Sequence, residues 1–174
     1  MCMHEYVRAL LDDQVTFSYP HADEAVARLD HHIDECGPYD ALLGFSQGAI
    51  LITLATAVRL HRARTGLGPP PSWRHNVLVC GMPVRAAEYA DQLKTPLDFP
   101  STISQGREDP AYEWCRRLAA QYADADYLEH PDGHRQRLTP ACAPACACMS
   151  MYARLCRLPR ASRWSPPEAH TGMC

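Results

Sequence analysis

Lysine is almost absent from this sequence of 174 residues, and long apolar runs are absent altogether. Lys94 is the only lysine, arginine supplies the other basic side chains, and the formal net charge is −3. This balance gives no support to nucleic-acid binding, which requires a basic surface. A membrane-spanning helix needs roughly 20 apolar residues in succession, and the sequence contains no such run. We therefore expect neither a nucleic-acid partner nor a membrane partner.

The N-terminus lacks the basic and apolar segments of a secretory signal, and the nine cysteines are an odd number. We therefore expect reduced thiols and a cytoplasmic location. Cys142, Cys146 and Cys148 form a C-x3-C-x-C pattern with His134 upstream. A structural zinc site typically uses paired C-x2–4-C units. We therefore interpret this stretch as part of a Cys/Ala/Pro/Arg-rich tail over residues 141–174, and we expect the tail to be disordered.

The remaining chain, residues 1–140, has the pattern of one globular domain, and hydrophobic residues make up 47% of the whole sequence. Segments of helical and extended periodicity alternate along it. The predicted helices are 22–36, 49–64 and 111–123, and the predicted strands are 40–45, 76–80, 101–104 and 125–129. This alternation predicts βαβ units, and therefore an α/β fold with a mostly parallel sheet.

The stretch from Gly44 to Gly48 reads G-F-S-Q-G and fits the pattern G-x-S-x-G. This pattern is typical of a nucleophile elbow, a turn so tight that small residues are needed two positions before and two positions after the serine. It lies here between a predicted strand and a predicted helix, which is the context that the motif requires. Ser46 is therefore a candidate nucleophile. The backbone N–H of Gln47 is a candidate donor to the oxyanion that would form.

A serine hydroxyl needs a base to take its proton, and in this architecture an acid and then a histidine follow the serine. Asp109 follows the predicted strand 101–104, and His134 follows the predicted strand 125–129. The carboxyl ends of parallel strands meet at one edge of a sheet, so we expect both side chains near Ser46. Asp109 could instead, or also, cap the following helix.

Three alternatives to these assignments remain open in the sequence. Glu108 competes with Asp109 as the acid, and His130 competes with His134 as the base. His134 could also be an exposed turn histidine without a role. The histidines on helix faces and at one strand entry are expected to be solvated: His31, His32, His61 and His75.

The segment from Gly37 to Ala49, G-P-Y-D-A-L-L-G-F-S-Q-G-A, resembles the elbow of the FSH family of serine hydrolases. Asn76–Pro83 (N-V-L-V-C-G-M-P) is similar to the next strand of that family, and G-x-x-D-P and G-H, which contain Asp109 and His134, are similar to its acid and base loops. The resemblance covers about residues 23–134. It implies an α/β-hydrolase fold with helices on both faces of the sheet.

The family resemblance also implies a function. Its members are small esterases or thioesterases, so the implied substrate is a small acyl ester or thioester. The roles implied by position are nucleophile for Ser46, acid for Asp109 and base for His134. No cofactor is implied, and the sequence has no G-x-G-x-x-G, P-loop or H-E-x-x-H motif, so we expect no cofactor and no metal ion.

The sequence departs from the family before residue 20 and after His134. No segment before residue 20 resembles the H-G loop that donates a second oxyanion N–H in the family, and we expect an N-terminally shortened, truncated sheet. This departure keeps an alternative open, a catalytically weak or inactive relative that acts as a binding module or is a gene fragment. Met82 and Trp114 could line an acyl pocket or belong to the core, and the core is the preferred interpretation for Trp114.

Overall fold

The computed structural model describes residue 12 and residues 17–135. Three helices and four strands alternate in these residues. In chain order they are α1 (Ala22–Cys36), β1 (Ala41–Phe45), α2 (Gln47–Arg64), β2 (His75–Val79), β3 (Ser101–Gly106), α3 (Tyr112–Ala119) and β4 (Ala125–His130). A short 3-10 helix, Ala87–Tyr89, lies between β2 and β3.

The four strands form one parallel sheet in the order β1-β2-β3-β4. Each strand pairs with the next one along the chain, so the carboxyl ends of all four lie at the same edge. Phe45 at the end of β1 is level with Val79 of β2, and Gly106 at the end of β3 is level with His130 of β4. The predicted α/β fold with a parallel sheet is therefore confirmed, and this shared edge is where the chain leaves every strand.

Helix α2 is central to the core and is buried over most of its circumference, which is typical of a helix enclosed by other elements. It packs against β1 and β2, while α3 packs against β3. The hydroxyl of Tyr122, just after α3, donates a hydrogen bond to Thr53 of α2 at 3.0 Å. Within residues 17–135, these two helices therefore share one face of the sheet, and the expectation of helices on both faces stays a prediction.

A buried arginine joins α1 to α2. Arg59 of α2 is 5% exposed, and its guanidinium donates hydrogen bonds to Asp30 at 2.8 Å and to Asp34 at 3.0 Å. The same guanidinium lies 5.8 Å from the centre of the Trp73 ring. A buried charge needs such partners, so this cluster fixes the position of α1 on the outer side of α2.

The predicted helix 111–123 is wrong at its C-terminal end, because α3 ends at Ala119. The next residues bond to the segment before β3. Leu97 donates its N–H to the carbonyl of Gln121 at 2.8 Å, and the N–H of Ala123 returns to the carbonyl of Leu97 at 3.0 Å. These two backbone bonds to a distant segment replace the last helical turn.

The prediction that His75 is solvated is also wrong. Its side chain is 5% exposed and bonds to the Thr102 hydroxyl at 2.9 Å, because β2 is an inner strand and is buried along its whole length. Smaller differences concern element ends: α2 begins two residues before the predicted start, and β3 extends to Gly106.

The predicted tail over residues 141–174, with Cys142, Cys146 and Cys148, lies outside the described residues, as do most of the residues before Phe17. In the part that is described, none of the helices has the length and apolar character needed to cross a bilayer.

Candidate active site

Ser46 lies in the turn between β1 and α2, where the backbone reverses direction within one residue. Its φ of 54° and ψ of −114° place it in a region that residues with a side chain rarely occupy. The turn is held by the Ser46 N–H, which donates to the carbonyl of Val79 at 2.8 Å. The strained conformation therefore puts the serine at the carboxyl edge of the sheet, directly before the first residue of α2.

The two glycines of the elbow have different reasons to be small. A Cβ on Gly44 would lie 2.5 Å from both the carbonyl carbon and the carbonyl oxygen of Gly48, which is far below an ordinary contact. A Cβ on Gly48 would meet no atom within 4 Å. The strand and the helix can therefore approach this closely only because Gly44 has no side chain. The packing does not require a glycine at position 48, although the sequence motif requires small residues on both sides.

His134 and Asp109 both lie close to the serine. The Nε2 atom of His134 is 3.0 Å from Ser46 Oγ, and its Nδ1 atom is 2.7 Å from Asp109 Oδ2. The side chain of Asp109 is 1% exposed, whereas that of His134 is 40% exposed. The structure therefore brings together the three residues that the sequence singled out. The first and the last of them, Ser46 and His134, are 88 residues apart in the chain.

The carboxylate of Asp109 has a second partner. Its Oδ1 atom accepts a hydrogen bond from the N–H of Ala111 at 2.8 Å, directly before α3. One carboxylate oxygen thus bonds to the imidazole, and the other bonds to the backbone just before the helix. The sequence left open whether Asp109 caps the helix or faces the histidine. In the structure it faces the histidine, and the N-cap residue of α3 is Ala111, without a side-chain cap.

The loop that holds His134 rests directly on the end of β3. A Cβ on Gly106 would collide with the backbone carbonyl oxygens of Asp132 and Gly133. The N–H of Glu108 donates to the Asp132 carbonyl at 3.2 Å, and the N–H of Arg107 donates to the His130 carbonyl at 2.8 Å. The loop after β3 therefore supports the loop after β4 through backbone contacts, which fix the distance from His134 to Asp109.

The alternative acid and base lie elsewhere. Glu108 is exposed, and the His134 ring bonds to Asp109. The ring of His130 is partly buried with Nδ1 4.0 Å from Asp132, and its Nε2 atom has no hydrogen-bond partner among the described residues. The aromatic neighbour of His134 is Phe45, with ring centres 5.0 Å apart.

Cys80 is the site residue that sequence reasoning missed. It follows β2 directly, has a φ of 49°, and is 1% exposed. Its thiol hydrogen-bonds with the Asp109 carboxylate, and burial together with that negative charge raises the pKa of the thiol to about 11. A signal was present in the sequence: Cys80 is the last residue of the predicted strand 76–80, Asp109 and His134 follow theirs, and parallel strands bring these positions to one edge.

Gln47 is the first residue of α2, so its backbone lies at the helix N-terminus beside the serine. The dipole of a helix N-terminus favours negative charge at this position. Gln47 and Gly48 also border a cavity of about 560 Å³, which extends past Phe17, Ile50 and Met82. The cavity therefore opens beside the elbow, and its walls are largely apolar.

Of the two candidate pocket residues, Met82 borders this cavity. Trp114 is 6% exposed and lies in the core, as preferred from the sequence. Its ring is covered by the guanidinium groups of Arg85 at 3.9 Å and Arg117 at 4.4 Å.

Residues 5–136 match the model of a protein family described as serine hydrolase (FSH1). The chain is 36% identical to human "Esterase OVCA2" over 126 residues, which are 70% of this chain and 52% of that protein. It is 31% identical over 122 residues to "Hydrolase phiM" of a fungal species, covering 64% of this chain and 56% of the relative. The chain thus spans about half the length of these curated relatives.

A solved structure supports the fold. It comes from a study of two fungal esterases from Rhizomucor miehei and superimposes with a TM-score of 0.51. The match covers 82% of this chain and 60% of the esterase chain at 13% sequence identity, so it supports the fold alone. The family match extends over most of the chain and includes the elbow and the loops after β3 and β4. The chain belongs to the FSH1 serine hydrolase family.

Proposed function

We propose that this chain is a serine hydrolase that cleaves carboxylic esters or thioesters through an acyl-enzyme intermediate. Ser46 is the nucleophile, His134 is the general base and then the general acid, and Asp109 orients the histidine. The observation that carries the proposal is the unbroken pair of short contacts from Ser46 Oγ through the imidazole to Asp109, at 3.0 and 2.7 Å. Membership of a serine hydrolase family supports the same reaction class.

The environment of Asp109 supports one tautomer of His134. A buried carboxylate 2.7 Å from Nδ1 holds a proton on that nitrogen. Nε2 is then free to accept the Ser46 proton when Oγ attacks the carbonyl carbon of the substrate. The imidazolium that forms is stabilised by the negative charge of Asp109. The same proton next passes from Nε2 to the leaving alcohol or thiol.

The backbone N–H of Gln47 at the start of α2 is our candidate for the oxyanion donor. Negative charge on the carbonyl oxygen would form beside a helix N-terminus, where the helix dipole stabilises it. Water activated by His134 then attacks the acyl-enzyme and releases the acid. Removal of one oxyanion donor typically costs about 10²–10³ in rate, so the rate of this chain depends on whether a second donor accompanies Gln47.

The cavity beside the elbow supports an apolar acyl group. Its volume of about 560 Å³ and its lining by Phe17, Ile50 and Met82 suit an apolar chain or ring, held with its carbonyl at Ser46. We therefore assign the acyl part of the substrate to this cavity and the leaving group to the solvent side, where His134 is exposed.

A fluorophosphonate probe tests the assignment of the nucleophile. Intact-mass analysis should show one adduct on the folded wild-type protein and none on Ser46→Ala. Ser18→Ala is a matched control, since Ser18 borders the same cavity and is exposed, and it should be labelled like the wild type. Failure of the folded wild-type protein to react, or equal labelling of Ser46→Ala, would refute the proposal.

The same mass measurement with a panel of esters and thioesters tests turnover. We expect a transient acyl adduct on Ser46 together with release of the acid. A stable adduct without release would favour the second candidate, a relative that binds acyl groups but turns them over poorly. The observation behind that second candidate is that no H-G loop motif occurs before residue 20 of the sequence.

A further inference from the structure

The edge of the sheet that carries Ser46 also gathers three side chains of metal-ligating type. The Cys80 sulfur, an Asp109 carboxylate oxygen and a His134 ring nitrogen all lie within 4.8 Å of one another. Each comes from the loop after a different strand: β2, β3 and β4. Their grouping is therefore a product of the parallel sheet.

The set of donors is specific in its chemistry. One thiolate, one imidazole and one carboxylate are the ligand types that Zn²⁺ uses, and three protein ligands with one open position are typical of zinc sites that exchange ligands. In a tetrahedral site such donor atoms lie about 3.5 Å apart. The widest pair of the present grouping must therefore close by up to about 1.3 Å, whereas Asp109 Oδ2 and His134 Nδ1, which are 2.7 Å apart, must separate slightly. Hard cations such as Mg²⁺ prefer oxygen ligands only and do not fit this set.

We propose that Cys80, Asp109 and His134 form a binding site for Zn²⁺ or a similar soft divalent cation, and that the bound ion inhibits the enzyme. The inhibitory part rests on the function proposed above, whereas the binding part does not. The thiol is the residue that gives the site its preference for soft cations, because Asp109 and His134 alone provide only two ligands.

Proton transfer explains why binding would inhibit. The Cys80 thiol loses its proton to solvent and binds the ion as the thiolate. The proton on Nδ1 of His134 moves to Nε2 through solvent, and the lone pair on Nδ1 binds the ion. One proton is released in total. Nε2 now carries a proton and cannot accept one from Ser46, so the serine is no longer activated.

The ion has a route to the site. Asp109 and Cys80 are buried, but the side chain of His134 is 40% exposed and follows a loop that is held to β3 by a few backbone contacts. Rotation of the imidazole away from Ser46 opens the carboxylate and the thiol to solvent, and the ring then closes over the ion.

Inhibition is measured as the rate of fluorophosphonate labelling of Ser46 at increasing Zn²⁺, with Mg²⁺ as the hard-cation control and EDTA to reverse the effect. We expect Zn²⁺ to slow labelling of the wild type and Mg²⁺ to have no effect. Cys80→Ser retains a hydrogen-bond donor to Asp109 but removes the soft ligand, and it should need at least about tenfold more Zn²⁺ for the same inhibition. Cys36→Ser, at an exposed cysteine, should behave as the wild type.

Binding is measured separately by the thiolate-to-cobalt charge-transfer absorbance on addition of Co²⁺. Cysteines elsewhere in the chain contribute equally to all variants, so the difference spectrum between wild type and Cys80→Ser isolates this site. Ser46→Ala should give the wild-type intensity of the band, whereas Cys80→Ser and Cys80→Ala should both lose the part that the difference spectrum assigns to this site. Equal bands in the wild type and both Cys80 variants, or equal Zn²⁺ inhibition of wild type and Cys80→Ser, would overturn the proposal. Absence of labelling with the Co²⁺ band intact would instead overturn the proposed function and leave the metal site standing.

Discussion

The two elbow glycines allow a sharp test of how the fold positions the nucleophile. In Gly44→Ala the new Cβ lies 2.5 Å from the Gly48 carbonyl group, whereas ordinary contacts begin at 3.4 Å. The strand and the first turn of α2 must therefore separate by about 0.9 Å. Ser46 lies between them and is 3.0 Å from His134 Nε2, so the same displacement breaks that hydrogen bond.

The expected cost follows from the size of the displacement. A misplacement of about 1 Å in a reacting group can cost about 10²-fold in rate. We therefore expect the second-order rate constant of fluorophosphonate labelling to fall by about 100-fold in Gly44→Ala. A lower midpoint of thermal unfolding should accompany the loss, because the backbone clash is present in the folded state only.

Gly48→Ala is the matched variant at the other end of the motif. Its Cβ meets no atom within 4 Å, and alanine in a helix is favoured over glycine by about 0.5–1 kcal/mol. We expect the free energy of unfolding of this variant to be higher than that of the wild type. Its rate of labelling by a small probe should change by less than about threefold. Equal loss of labelling in both variants would refute the steric explanation, because it would show that position 48 must be small for access of the substrate.

Three further changes test other contacts. Asp109→Asn should slow labelling by about 10³–10⁴-fold, because the amide no longer holds the required tautomer of the histidine. Glu108→Gln, at the exposed neighbour, should leave the labelling rate unchanged. Equal effects of the two substitutions, measured by mass spectrometry, would contradict the assignment of Asp109 as the acid. Arg59→Met should lower the free energy of unfolding in urea by about 3 kcal/mol, because it leaves the Asp30 carboxylate, which is 14% exposed, without its partner at 2.8 Å. Arg62→Met, at a side chain 51% exposed and 3.6 Å from the same carboxylate, should cost less than about 0.5 kcal/mol; similar values would argue against the Arg59–Asp30 ion pair. Burial raises the pKa of Tyr122 to about 12. The contribution of its neutral hydroxyl to the free energy of unfolding is therefore complete below pH 10 and is lost as the pH rises to 12. Tyr122→Phe should therefore cost about 1 kcal/mol at neutral pH, and its difference from the wild type should shrink in alkaline urea titrations, where a constant difference would contradict the sign of the shift.

The candidate site was largely predictable because its parts are encoded locally. The elbow is five consecutive residues, and Asp109 and His134 each follow a strand within a few positions. The parallel arrangement then brings the ends of the strands together without any knowledge of side-chain packing. The structure adds what spacing cannot contain, namely that the same carboxylate also bonds to the N–H of Ala111.

Cys80 shows the limit of that reasoning. A thiol after a strand is unremarkable by itself, and its significance comes from Asp109 and His134, 29 and 54 residues further along the chain. The role of each glycine is similarly hidden, because the motif names Gly44 and Gly48 alike and only the packing of helix against strand separates them.

The sequence by itself determined the order of helices and strands, the parallel sheet, and the choice of Ser46, because periodicity and tight-turn chemistry act over a few neighbouring residues. The tertiary structure decided where α3 ends, that His75 is buried, and that Cys80 faces Asp109. These outcomes depend on partners that lie far away in the chain, such as Leu97 for the end of α3 and Thr102 for His75. Local preferences are weak enough that a few backbone hydrogen bonds and the burial of an inner strand override them.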